Sequence, residues 1–294
     1  MNRGPLIFLG LFFVLALSWF GLVLIPQIQL GGLKETVTIG AEQTYPVSRD
    51  GLARQGAEVY RANGCVQCHS QQVRQSGVSF DVVLKSPGTN HAAILAAVRN
   101  VNPALSETDA EKLLAEKAPV IVKNVTKPEA DNAKKALEVH EAQALVQVIP
   151  QGADIARGYG VRRTVATDYL FDRPVQLGSQ RIGPDLANIG ARSRGDQWQL
   201  QHLYAPRSLV EGSTMPPYPY LFERRQIVGE PSPDALQLTG RFAPPEGWEV
   251  VPKPAALSLV AYLNSLKSDA PLLEGPAPVA VISATSATNK VAAP

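Results

Sequence analysis

Cys65-Val66-Gln67-Cys68-His69 holds the only two cysteines of a 294-residue chain, and it constrains the fold more than any other stretch. C-x-x-C-H is the attachment signature of a c-type haem. Two thiols at that spacing meet the two vinyl groups of one porphyrin and become thioethers. The histidine that follows is then held beneath the iron as proximal ligand. A bare C-x-x-C leaves a thioredoxin-like dithiol or half of a zinc site open. Zinc needs more thiolate or imidazole ligands nearby, and a dithiol has no use for the adjoining histidine. A chance C-x-x-C-H in a buried turn is the remaining alternative. One covalent haem c is the expectation.

Iron in electron-transfer haems usually takes a second axial ligand, and a His/Met pair raises the reduction potential. The chain has two methionines, Met1 and Met215. Met215 lies in Gly212-Ser213-Thr214-Met215-Pro216-Pro217-Tyr218-Pro219-Tyr220, where the prolines exclude a regular helix. A stiff loop suits a sulfur that must stay over a porphyrin face. The plainer role for a lone methionine is to fill a gap in a core. His91, His140 and His202 compete for the iron; the first two fall in a segment that reads as an insert, and His202 reads as a packed or solvated helical histidine.

Leu6 to Ile25 is a run of twenty residues in which Ser18 is the only plainly polar side chain. As a helix it spans about 30 Å, the hydrocarbon thickness of a bilayer. A cleavable signal peptide would have a shorter apolar core and a small-x-small site after it. Pro26-Gln27-Ile28-Gln29-Leu30 lacks that pattern, so an uncleaved anchor is expected over 1–30. Arg3 precedes the run, and the positive-inside rule puts the N-terminus in the cytoplasm. The haem then lies outside, where bacteria attach c-type haems. Gly10, Val14, Ser18 and Gly21 share a stripe that would admit a neighbouring helix. The net charge of +2 gives no argument for nucleic acid.

Residues 31–50 mix Gly, Thr, Pro and charges without period and read as a tether. Gly51 to Asn63 has helical spacing and stops at Gly64, just before the haem motif. Pro254 to Lys267 repeats the pattern near the far end. In class I cytochromes c, first and last helices of this kind cross beside the haem, and this pair looks similar. The expected cytochrome c domain runs over 51–78 and 151–268.

Between its halves, 79–150 is rich in lysine and alanine and has an α/β rhythm. Phe80–Leu84 reads as a strand, His91–Val101 and Ser106–Lys117 as helices, with Ser106 as N-cap of the second. Ala118–Val125 reads as a strand, Lys127–Ala142 as a helix and Ala144–Ile149 as a last strand. The fold class is therefore mainly α: a transmembrane helix and a class I cytochrome c-like domain, interrupted by a small βααβαβ insert. Residues Phe80–Lys85, Ala97–Arg99, Leu113–Pro119 and Lys134–Glu138 resemble the C-terminal domain of the bacterial ribosomal stalk protein. That domain recruits translation factors through basic residues on its first helices. Here His91 and Ala96 stand where lysines are expected, although Arg99 remains, and translation has no place outside the cytoplasmic face. The segment reads as the same fold reused as a spacer or docking surface.

From Arg157 to Arg225 there are many arginines and no lysine. Arg162, Arg163, Arg181, Arg192 and Arg194 are candidates to pair with the two haem propionates. Ordinary surface charge is the plainer role for any single one. The stretch 269–294 is poor in charge, rich in Ala, Pro, Ser, Thr and Val, and reads as a disordered tail.

Several stretches together resemble the mono-haem subunit II of the cbb3-type (C-family) haem–copper cytochrome c oxidases. They are Gly64–Arg74, Tyr169–Pro174, Gly178–Leu186, Trp198, His202-Leu203, Pro206-Arg207, Met215–Pro219 and Leu259–Leu263. The resemblance implies that His69 and Met215 are the axial ligands. It also implies that Pro184 turns its carbonyl to the Nδ1–H of His69, fixing tautomer and ring orientation. Leu177 and Tyr220 depart from the pattern, since the family often has tryptophan there. The implied role is electron relay in aerobic respiration, with no active site of its own. The donor would be a companion di-haem subunit or a soluble cytochrome c, and the acceptor a haem–copper catalytic membrane subunit. The implied location is the bacterial inner membrane, single-pass, with the haem domain periplasmic. A nitric oxide reductase cytochrome subunit, a free-standing membrane-tethered cytochrome and a haem-based sensor signalling through the insert are the alternatives. The blocks at Gly178–Leu186 and Met215–Tyr220 argue against the first, and a sensor needs an open iron site. No nucleophile–base pair or phosphate loop supports a hydrolase or transferase.

Overall fold

The computed structural model describes residues 3–38, 43–272 and 275. The chain opens with α1 (Gly4–Trp19), a wide π-turn (Phe20–Leu24) and α2 (Ile25–Gly31). Pro26 has no N–H for the carbonyl four residues back. The wide turn lies just before it, with the Ile25 amide bonded to the Phe20 carbonyl. Together these form one apolar helix, Gly4–Gly31, long enough to cross a membrane, with no residue of its apolar stretch buried. Composition and length fit a single-pass membrane protein.

The tether is partly built. β1 (Thr36–Val37) pairs with β2 (Thr44–Tyr45). The Tyr45 hydroxyl donates to Asp168 at 2.7 Å, and Arg49 pairs with Asp172. Asp168 is gripped by both terminal nitrogens of Arg162, at 2.7 and 3.0 Å, and that guanidinium is wholly buried. A buried charge must be paired in this way. Thr44 to Arg49 is thus docked rather than free.

α3 (Gly51–Ala62) leads into a 3₁₀ turn (Cys65–Gln67). It crosses the last helix at Gly56: a Cβ there would stand 1.8 Å from the Ser258 carbonyl oxygen, so no other residue permits this approach. One turn on, the buried rings of Tyr60 and Tyr262 lie 5.3 Å apart.

The chain then leaves along β3 (Gly77–Ser86). α4 (His91–Val101), α5 (Glu107–Ala115), β4 (Val120–Val125), α6 (Lys127–Glu138) and β5 (Gln143–Gln151) follow. This is the βααβαβ order read from the sequence. All strands are antiparallel in the order β4-β3-β5, and Gly77 pairs with Gln151 at the neck. Caps explain the helix starts: Asn90 accepts from the Ala93 amide, and Ser106 from the Asp109 amide, each at 3.1 Å. Val82, Leu84, Ile94, Val98, Ile121 and Leu137 form a core of their own.

The return runs through α7 (Ala153–Ala156), α8 (Ile189–Arg192), α9 (Asp196–Tyr204) and α10 (Pro206–Leu209). β6 (Phe222–Gln226) and β7 (Trp248–Pro252) pair in register, and α11 (Pro254–Ser265) closes the second core with Tyr60, Leu203, Leu221, Val250 and Leu259. The β6–β7 pair departs from the helical reading of this half. Four of the five β6 residues are exposed, and a long loop separates it from β7, so no hairpin signal exists. The expected tail begins packed: Ala270 accepts from buried Arg162, and Leu272 is buried. Residues 273–274 and 276–294, where disorder is expected, lie outside the described residues.

Candidate functional site: one cavity between the ligand loops

Gly64, at a φ of +66°, ends α3 in the left-handed region that glycine adopts without strain. The 3₁₀ turn that follows presents Cys65 and Cys68, and the His69 amide bonds back to the Cys65 carbonyl at 3.0 Å. The Cys68 carbonyl accepts from the Ile182 and Gly183 amides, both at 2.9 Å, which lays the 181–187 loop against the motif. On that loop the Pro184 carbonyl sits 2.8 Å from His69 Nδ1. A carbonyl only accepts, so Nδ1 carries the proton and Nε2 keeps a lone pair. Burial lowers the His69 pKa, opposed by the bond to Pro184 and by Asp185, so the ring is neutral at pH 7.

Met215 reaches the same place from a distant segment. Its loop is pinned to α9 by the Tyr218 amide on the Leu203 carbonyl at 2.9 Å, and Arg207 holds the Ser213 carbonyl at 3.1 Å. Cys65, Cys68, His69, Pro184 and Met215 all line one cavity of about 410 Å³. Its walls are otherwise mostly apolar, with Ile182, Leu186, Ile189, Leu203, Val210 and Leu263 among them.

Two thiols, an imidazole and a thioether on one mostly apolar cavity are a donor set that fits a haem. Gly183 leaves the histidine its space, since a Cβ there would stand 2.3 Å from His69 Cε1. Gln199 Nε2 and His202 Nδ1, on two residues of the same wall, are buried without hydrogen-bond partners. Cys65 and Cys68 form no disulfide with each other. Burial pushes Cys65 up to about 11, with neighbouring Cys68 adding to the shift, so it is a thiol at neutral pH, unlike an activated redox cysteine. Among the described residues no cluster of three or more His, Cys, Asp or Glu could hold a metal ion.

His202 is packed on its helix, as its sequence reading has it, and it also stands on the cavity wall. Its ring is stacked on Trp198 at 4.8 Å, beside the candidate ligands. Helical periodicity finds such a residue only once the partner loop is known. His91 and His140 sit in the insert and line no part of the cavity. None of the five candidate arginines lines it either. Arg162 is spent on Asp168, Arg181 on Asp154 and Asp185, and Arg192 on the Asp185 carbonyl; Arg194 lies over the Trp198 ring. Arg163 offers its backbone amide to Gln75.

Comparison with known proteins matches two stretches of the chain, which meet within β5. Residues 146–238 match the family model described as cytochrome c oxidase, mono-heme subunit/FixO. That stretch carries Pro184, Met215 and most of the cavity wall, and it implies a haem cofactor; the cysteine motif lies before it. Residues 80–149 match the ribosomal protein L7/L12 C-terminal domain. A curated relative, the large ribosomal subunit protein bL12 of Akkermansia muciniphila, is 45% identical over 69 residues, 24% of this chain. The match spans about half of that relative, 54% of its length. The chain therefore joins a segment similar to the mono-haem subunit of a cytochrome c oxidase to an inserted segment similar to the L7/L12 C-terminal domain.

Proposed function

We propose that this chain is a membrane-anchored, mono-haem c-type cytochrome that relays electrons to the catalytic haem–copper subunit of a cbb3-type terminal oxidase. The observation that carries this reading is the convergence of Cys65, Cys68, His69 and Met215 on one apolar cavity. The cavity-bearing part is then a class I cytochrome c-like domain. Cys65 and Cys68 would hold the haem through their sulfurs, His69 Nε2 and the Met215 sulfur would bind its iron, and the Pro184 carbonyl keeps the imidazole proton on Nδ1. The haem, when bound, supplies a one-electron couple. The chain's own residues supply position and a dry surround, which is the protein's part in cofactor chemistry.

The helix at Gly4–Gly31 anchors this domain, with Arg3 on the cytoplasmic side and the haem on the periplasmic side. A di-haem subunit or a soluble cytochrome c is the donor. The L7/L12-like unit serves as a spacer or docking surface. Purification of the native complex from solubilised membranes tests the assignment. The haem–copper subunit is expected to travel with this chain; its absence from every preparation overturns the reading. Rapid carbon monoxide binding by the reduced protein at full haem occupancy would point to a sensor instead.

A further inference from the structure

Asp185 stands behind the ligand loop, outside the cavity and 0% exposed. Its Oδ2 accepts from the Ser70 hydroxyl at 2.6 Å, the Gln72 amide at 2.8 Å and Arg181 at 3.1 Å, and its Oδ1 accepts from the Ala187 amide at 2.8 Å. Ser70 and Gln72 follow His69, and Pro184 precedes Asp185. One carboxylate thus ties together the two chain segments that meet at the His69–Pro184 bond. Arg181 doubles the tie, with Nε on the Ser70 hydroxyl and a terminal nitrogen on the Gln72 carbonyl, both at 2.7 Å. Its other terminal nitrogen reaches Asp154 at 2.7 Å. Asp154 is itself buried, accepts from the Arg74 amide at 2.8 Å, and lies just past the end of β5. The series Asp185–Arg181–Asp154 therefore runs from the proximal histidine to the foot of the inserted unit.

We propose that Asp185, braced by Arg181 and through it by Asp154, is the positioning residue that sets the reduction potential at this site. The inference rests on the haem reading above. A histidine that donates firmly from Nδ1 is a more basic ligand, and it favours the oxidised, more positive iron. The buried negative charge acts in the same direction. Loss of the carboxylate removes both effects, so the potential rises. A carboxylate that influenced neither the His69–Pro184 bond nor the field at the iron would leave the potential where it is.

Redox titration of the full-length, haem-loaded protein in detergent separates these. Asp185→Asn is expected to favour the reduced form about tenfold, an upward shift of about 59 mV for a one-electron couple. Asp154→Asn shifts it in the same direction by less, with haem content and the sulfur-to-iron charge-transfer band retained. The hyperfine-shifted NMR signals of the oxidised His69 ring move in both variants. A haem-loaded Asp185→Asn variant at the parent potential overturns the proposal. Should that variant not fold, parent potentials in both Asp154→Asn and Arg181→Lys overturn it equally. A parent chain that binds no haem overturns the functional reading itself, a different result from an unmoved potential.

Discussion

The inserted unit and the cavity-bearing part leave and rejoin each other through one two-strand neck, where Gly77 pairs with Gln151. They are held up in opposite ways. The insert closes a core of its own around Val82, Leu84, Ile94 and Leu137, starts its helices with Asn90 and Ser106, and draws on neighbours within seventy-odd residues. The cavity-bearing part lines a space of about 410 Å³ with mostly apolar side chains, the place of the proposed haem. On the haem reading, the first core is completed by side chains and the second by the cofactor.

The largest effect that can break this comparison comes from removing the attachment. The Cys65→Ala/Cys68→Ala chain is expected to show no haem on a denaturing gel. Amides of α3 and α11 should lose their slow hydrogen exchange, while those of β3 and α6 keep theirs. Protection surviving in α3 without haem would show that the cavity is stable empty.

A smaller effect sharpens the comparison from the other side. Leu84 is buried in the insert's core, and Leu84→Ala should cost that unit about 2–5 kcal/mol. The urea transition of the insert moves while the haem spectrum stays that of the parent. A changed spectrum would mean that the neck transmits more than the comparison allows. The smallest change is Ser106→Ala, which removes an N-cap and should cost about 1 kcal/mol in the same transition. No change there would mean that α5 does not unfold with the rest of the insert.

This contrast also explains what was legible before the structure. In the insert the signals are local: Ser106 announces α5, and the order of strands and helices follows from apolar periodicity. Element ends were overdrawn, since α6 stops at Glu138 rather than at Ala142. In the cavity-bearing part, Cys65, Cys68 and His69 were legible as a motif, and Met215 by scarcity and family resemblance. The docking of Tyr45 on Asp168, the buried Arg162 and the place of His202 on the cavity wall were not legible. Tyr45 and Asp168 are 123 positions apart, and no local propensity links such residues. Arg162 and Arg181 illustrate the same limit: their charge is visible in a sequence, but the carboxylates they pair with, Asp168, Asp154 and Asp185, are not.

All of this depends on an imidazole and a thioether meeting across one cavity, and the absorption spectrum of the oxidised Met215→Ala protein tests that most directly. The account predicts that the weak near-infrared charge-transfer band between sulfur and iron disappears while the covalent haem remains. A spectrum identical to that of the parent, band included, would contradict it.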